Sequence, residues 1–184
     1  MTALLNGWNG SHDLKSIAAT VYTRWYFRFI LSLFHNYSDD VDDRLSFVGN
    51  YHFTDAYQNI LKSIDEEGSK SRFQTICRGA YDVSHLDLGG NVCAYNLARS
   101  LLEARQFLKE KMASDPQRWL WRDAHSNKYE NMPWSRTPLR FLFERHTPCG
   151  GSPNTPNVSK WNIRKDKDDV VTKGYSSGNY KMLI

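Results

Sequence analysis

Apolar side chains recur at Leu14, Ile17, Ala18, Val21, Tyr22, Trp25 and Phe29, the three-and-four spacing that lines one face of a helix, and predict a helix over 14–35. Ser11 or Asp13 is placed to cap its first turn by accepting a backbone N–H, just after the turn-forming run Asn6-Gly7-Trp8-Asn9-Gly10. A second stripe, Ala56, Tyr57, Ile60, Leu61 and Ile64, predicts a helix from about 54 to 66, with Gly68 as its stop. Residues 70–87 show no clean period. Gly89-Gly90-Asn91 then introduces a third helix reaching about Met112, with Ala94, Leu97, Ala98, Leu101, Arg105, Leu108 and Met112 in register. Arg105 is the polar member of that seam, its stem covering apolar surface while its head reaches water. Ser114-Asp115-Pro116 ends the helix, since proline cannot continue it and restricts the residue before it.

From Trp119 the pattern changes. Pro, Gly and Asn recur every few residues between short aromatic or β-branched runs, at 158–163, 170–172 and 180–184, which reads as strands joined by turns. The expected fold class is α+β within one domain spanning 1–184, mainly helical over 1–113 and mainly strands and turns over 114–184. No internal repeat or low-complexity segment interrupts it.

At 184 residues the chain is long enough to bury about 70% of its unfolded surface. Six Trp, ten Tyr and nine Phe argue for packed structure. A net charge of +4 gives too small a surplus to predict a phosphate-backbone partner, and no nucleic acid is expected. The basic stretch 160–173 also holds Asp166, Asp168 and Asp169 and reads as a solvated face. The most apolar segment, 27–34, is broken by Arg28 and followed by His35-Asn36, well short of the roughly 20 apolar residues of a membrane span, so no membrane partner is expected. No secretory signal pattern is read, and the compartment is left open. Three Asn-x-Ser sequons, at Asn9, Asn36 and Asn157, are close to what chance supplies from 13 asparagines. Cys77, Cys93 and Cys149 fit neither a disulfide framework nor a metal spacing, and allow one bridge at most.

The chemistry-bearing residues each have a structural competitor. Asp39, Asp40, Asp42 and Asp43 supply the oxygen ligands calcium takes, but lack the glycine and terminal glutamate of a twelve-residue calcium loop and read as a loop. His146, three residues before Cys149, could activate a thiolate, yet Pro148 lies between them and no third group orients the imidazole. Gly150-Gly151-Ser152 with Asn154 could hold an anion on backbone N–H groups, but no helix follows, and a tight turn with positive φ is the simpler reading. His125, after Trp119 and Trp121, is a candidate base or metal ligand, but no second histidine or carboxylate stands at ligand spacing; the favoured reading is a packed, hydrogen-bonded histidine. Ser176-Ser177-Gly178 forms no nucleophile elbow. No metal or cofactor is expected.

Four segments in order resemble the penicillin acylase (penicillin amidase) family of N-terminal-nucleophile hydrolases. Leu4-Leu5-Asn6-Gly7-Trp8-Asn9-Gly10 is similar to its Leu-x-x-Trp-Asp-Gly segment, and Trp119-x-Trp121-x-x-x-His125 to its Trp-x-Trp-Gly-x-x-His segment. Pro148-x-Gly150-Gly151 with Thr155-x-Asn157 resembles its Pro-x-Gly-Gly and Thr-x-Asn segment, and Ser177-Gly178-Asn179-Tyr180-Lys181-Met182 its Gly-x-Ser-Tyr-Arg-Met strand. Asn9 stands where the family has Asp and Arg122 where it has Gly.

The resemblance implies a partial chain from the later half of the β-chain, hence a partial domain of an αββα sandwich. It also implies hydrolysis of linear amide C–N bonds through an acyl-enzyme, with the N-terminal serine and oxyanion donors upstream of these residues. No catalytic position transfers to a number in this chain. The expected partners are the remainder of the acylase and a small-molecule amide; the alternative is a non-catalytic relic used as a binding or structural module.

Overall fold

The computed structural model describes residues 1–34, 58–59, 72–78, 81, 84–88, 91–131, 133–153, 155, 159 and 172–174. They form a mixture of helices and one small sheet, an α+β arrangement. The chain divides into two compact units, one of residues 1–21 with 111–184 and one of residues 22–110.

Helix α1 spans Thr2–Asn6 and α2 spans Ile17–Phe34. The period predicted for α2 is present but its start is not: Leu14 is exposed in the preceding turn, and Ser16, rather than Ser11 or Asp13, caps the helix by accepting from Ala19 N at 3.1 Å. Ala18, Ala19, Thr20, Val21, Thr23, Arg24, Tyr26, Phe27, Phe29, Ile30 and Leu33 are all buried, so the helix is covered around its circumference and not on one face. The helix predicted over 54–66 lies outside the described residues apart from Gln58 and Asn59, which are helical. The acidic run 39–43 lies outside them altogether.

In the unit of residues 22–110, α3 covers Arg72–Arg78, where no helical period was legible, and α4 covers Val92–Lys111. The buried face of α4 runs through Val92, Cys93, Asn96, Leu97, Ser100, Ala104, Phe107 and Leu108. The predicted seam is rotated off this face: Ala98 and Arg105 are exposed and Ala94 and Leu101 only half-buried. The reason is chemical. A disulfide joins Cys77 of α3 to Cys93 of α4, Asn96 Nδ2 donates to Cys77 O, and Trp25 Nε1 donates to Leu97 O (2.9 Å) and Ser100 Oγ (3.1 Å). Small and polar side chains thus line the closest approach, which an apolar count does not register. The buried guanidinium of Arg24 lies 5.2 Å from the Phe27 and Phe107 ring centroids, stabilised by their negative faces.

In the other unit, Pro116–Arg118 forms a 3₁₀ turn with proline first and Asp115 Oδ1 accepting from Gln117 N, the stop expected there. Helix α5 (Trp121–Ala124) leads directly into β1 (His125–Tyr129). A 3₁₀ turn at Trp134–Arg136 and α6 (Arg140–Phe143) precede β2 (Arg145–Pro148), and β3 is Thr172–Gly174. The sheet order is β2-β1-β3. β1 is antiparallel to β2, with Ser126 opposite Pro148 and Tyr129 opposite Arg145, and parallel to β3, with His125 opposite Thr172. Strands at 125–129 and 145–148 were not foreseen; of the predicted strands, 170–172 overlaps β3 only at Thr172, and 158–163 and 180–184 lie outside the described residues apart from Ser159.

Candidate functional site

The segment 119–129 enters the interior because its aromatics have both apolar bodies to bury and N–H groups that find acceptors. Trp119 and Trp121 are each 1% exposed; their Nε1 atoms donate to Ala113 O (2.8 Å) and Gly151 O (3.1 Å). The N–H groups at the start of α5 are satisfied by other loops: Trp121 N donates to Ser16 O and Arg122 N to Leu14 O. Gly151, at φ 87°, donates its own N–H to His12 O at 2.9 Å. That amide is therefore committed to the fold, which supports a tight turn over an anion loop at 150–152.

Four rings follow one another from this anchor. Trp8 and His12 meet edge-on at 5.2 Å, His12 and Trp121 edge-on at 5.2 Å, and Trp121 and His125 stack at 4.7 Å with a 26° interplanar angle. Burial holds the pKa of His12 below its ordinary value, only partly offset by Gly10 O and Asp13. His12 is thus neutral at pH 7.

Beyond the rings lies a closed polar cluster. His125 is 0% exposed, Asn127 1% and Ser159 1%. Ser159 Oγ donates to Asn127 Oδ1 at 2.7 Å, and lies 2.8 Å from His125 Nε2 and 3.3 Å from Cys149 Sγ. A hydroxyl has one proton and two lone pairs. With its proton on Asn127, Ser159 accepts from both other groups: His125 is the Nε2–H tautomer and Cys149 donates its S–H. A general base needs a lone pair facing the nucleophile's proton, and this arrangement supplies the reverse.

His146 and Cys149 are not brought together as a pair. His146 is exposed on β2 opposite Lys128, while Cys149 N donates to His125 O and its thiol reaches Ser159. Among the described residues no group of three or more His, Cys, Asp and Glu side chains could hold a metal, and no helix is long and apolar enough to cross a membrane. Asn154, Ser176 and Ser177 lie outside the described residues, and Ser152 is buried, its N–H donating to Thr155 Oγ1.

Open clefts accompany the described residues of this unit. One of about 450 Å³ is lined by Lys111, Gln117, Arg118, Leu120, Arg122 and Asp123 among others, and one of about 470 Å³ by Tyr129, Glu130, Asn131, Leu142, Phe143 and Arg145. Neither presents a hydroxyl, thiol or imidazole beyond the Tyr129 phenol. Around the second, Tyr129, Trp134, Leu139, Phe141, Leu142 and Phe143 are exposed, six of the eight large apolar side chains so exposed among the described residues.

Fold and cluster together define an α+β protein whose conspicuous Trp, His and Gly positions are anchors of packing. Residues 2–184 match the sequence model of the penicillin amidase family, and the chain belongs to that family. It is a penicillin-acylase-like hydrolase at that level. No curated protein and no solved structure matches it.

Proposed function

We propose that this chain is one component of an enzyme that hydrolyses linear amide C–N bonds through an acyl-enzyme, with the nucleophilic serine and oxyanion donors supplied from outside its residues. The observation that carries this reading is the Ser159–His125 pair: it is fully buried, and its protons run away from nucleophilic use. The described clefts offer no substitute serine, threonine or cysteine. The exposed apolar face at 129–143 supports docking to a further part of an αββα sandwich, since such a face is costly in water. Without its nucleophile an acyl-transfer enzyme loses several orders of magnitude in rate.

The purified chain, given a chromogenic acyl anilide, is expected to release no amine above the buffer rate. Turnover that disappears in Ser159→Ala or Cys149→Ser while the variant keeps its wild-type circular dichroism would place the nucleophile inside the chain, and any turnover by the wild-type chain above the buffer rate would overturn the proposal. The second reading, a non-catalytic binding or structural module, draws on the completeness of the core around Trp119, Trp121 and His125. A monomer melting in one cooperative transition favours the module; aggregation through the 129–143 face favours the component.

A further inference from the structure

The sequence contains two Asn-Gly pairs, Asn6-Gly7 and Asn9-Gly10, and the fold treats them differently. Asn6 is the last residue of α1, and Gly7 N is held by Ala3 O at 3.3 Å with φ −89°. Asn9 is exposed in the turn that follows. Its Oδ1 accepts from Ser11 N at 2.9 Å, closing a small ring that includes Gly10 N. Gly10 N donates no hydrogen bond, its φ is 81°, and the space where a Cβ would stand is open. The turn is braced from outside by Trp8 Nε1 donating to Ser11 O at 2.8 Å.

We infer that Asn9 is a site of spontaneous chemical modification, converted through a cyclic imide with Gly10 to aspartate and isoaspartate. Gly10 N attacks Asn9 Cγ, whose carbonyl is polarised by the Ser11 N–H. The new C–N bond closes the imide as the Cγ–Nδ2 bond breaks, and the proton lost from Gly10 N leaves with Nδ2 as ammonia. Water then opens one of the two imide carbonyls, giving aspartate or isoaspartate with no change of oxidation state. Three features favour Asn9: the attacking nitrogen donates no hydrogen bond, the Asn9 side-chain carbonyl is polarised by the Ser11 N–H, and glycine adds no side chain to obstruct the ring. At Asn6 the same attack must first free Gly7 N from the helix and move Asn6 out of helical geometry.

The product carboxylate would accept the Ser11 N–H as a charge-assisted bond. It would stand beside His12, whose Nδ1 meets Gly10 O at 3.2 Å and whose ring begins the contact leading through Trp121 to His125.

The native chain is incubated at mildly alkaline pH, alone and in concentrated denaturant, then digested with trypsin and mapped by tandem mass spectrometry. Both asparagines fall in the peptide of residues 1–15, where fragment ions assign the mass gain of amide to acid. In the native chain Asn9 is expected to convert about 2- to 12-fold faster than Asn6, the range set by one net backbone hydrogen bond. In denaturant, where both pairs are unstructured, the ratio falls to near one. A native ratio at or below one, or a ratio unchanged by denaturant, would overturn the inference.

Discussion

Replacing Ser159 with alanine tests the buried cluster directly. The substitution leaves the fold's apolar contacts almost unchanged and removes a single oxygen, but that oxygen joins Asn127 Oδ1, His125 Nε2 and Cys149 Sγ. The carbonyl of Asn127 loses its donor and the N–H of His125 loses this acceptor, at residues only 1% and 0% exposed. Each buried polar group deprived in this way costs about 1–3 kcal/mol, so the variant should lose about 2–6 kcal/mol. The weak S–H donor of Cys149 adds little to that sum. Against a total stability of about 5–15 kcal/mol this is a large fraction, readily measured by urea denaturation. A companion measurement does not depend on the variant folding: ¹⁵N chemical shifts of the wild-type histidines should report His125 as the Nε2–H tautomer. A loss below about 1 kcal/mol would show that Ser159 is not the hub. An Nδ1–H tautomer would show that the hydroxyl proton points to the imidazole, the polarity a nucleophile requires, and would reopen the question of catalysis by this pair.

Three further expectations follow from named groups. Reducing the Cys77–Cys93 bridge, which closes a separation of 16 residues, should destabilise the helical unit by about 3 kcal/mol on the chain-entropy relation, lowering the urea midpoint by about 1–3 M; an unchanged midpoint with all three thiols titrating would contradict it. His12 is kept neutral by burial, so as pH falls below its ordinary value of 6.5 the unfolded chain takes up a proton that the folded chain refuses. Stability should therefore decline through that window down to the lowered folded pKa, and His12→Phe should flatten the decline; an equal slope in the variant would assign it elsewhere. Burial and a 2.9 Å hydrogen bond to Glu103 push Tyr81 up to about 12, from 10.0. Ultraviolet titration should find late-titrating tyrosine absorbance of which a part moves earlier in Glu103→Gln, and stability should fall above pH 10 as the unfolded chain ionises first; a titration insensitive to Glu103→Gln would refute the assignment.

The helices were legible where apolar residues do the packing. The three-and-four spacing from Ile17 to Phe29 is the pattern of α2, and Asp115-Pro116 stops α4 as proline chemistry requires. Legibility failed where polar or small residues make the contact. Cys93, Asn96, Ser100 and Ala104 line the buried face of α4, so a search for apolar side chains rotates the seam towards exposed Ala98 and Arg105. The short α5 and the strand after it fail for another reason: Trp121 and Arg122 N–H groups are satisfied by Ser16 and Leu14 carbonyls more than 100 residues away, and a local window holds no trace of such partners.

The same logic separates what could be read of the cluster from what could not. His125 among tryptophans suggested a packed histidine, and its stacking on Trp121 and full burial agree with that. Its partner Ser159 lies 34 residues on, in a run that reads only as a strand and points to no partner, and the attractive neighbour pair His146 and Cys149 is separated by β pairing that leaves His146 exposed. Yet Trp121, His125 and Gly151, all in the matching motifs, turn out to be mutually dependent: Trp121 donates to Gly151 O, Gly151 to His12 O, and His125 lies stacked beneath the indole. Changing one deprives the next of a buried partner. The motif spacing therefore carries information about the fold, because Trp121, Gly151, His12 and His125 are linked by hydrogen bonds and ring contacts, and says nothing of a nucleophile, because the Ser159 hydroxyl beside His125 gives its proton to Asn127 Oδ1.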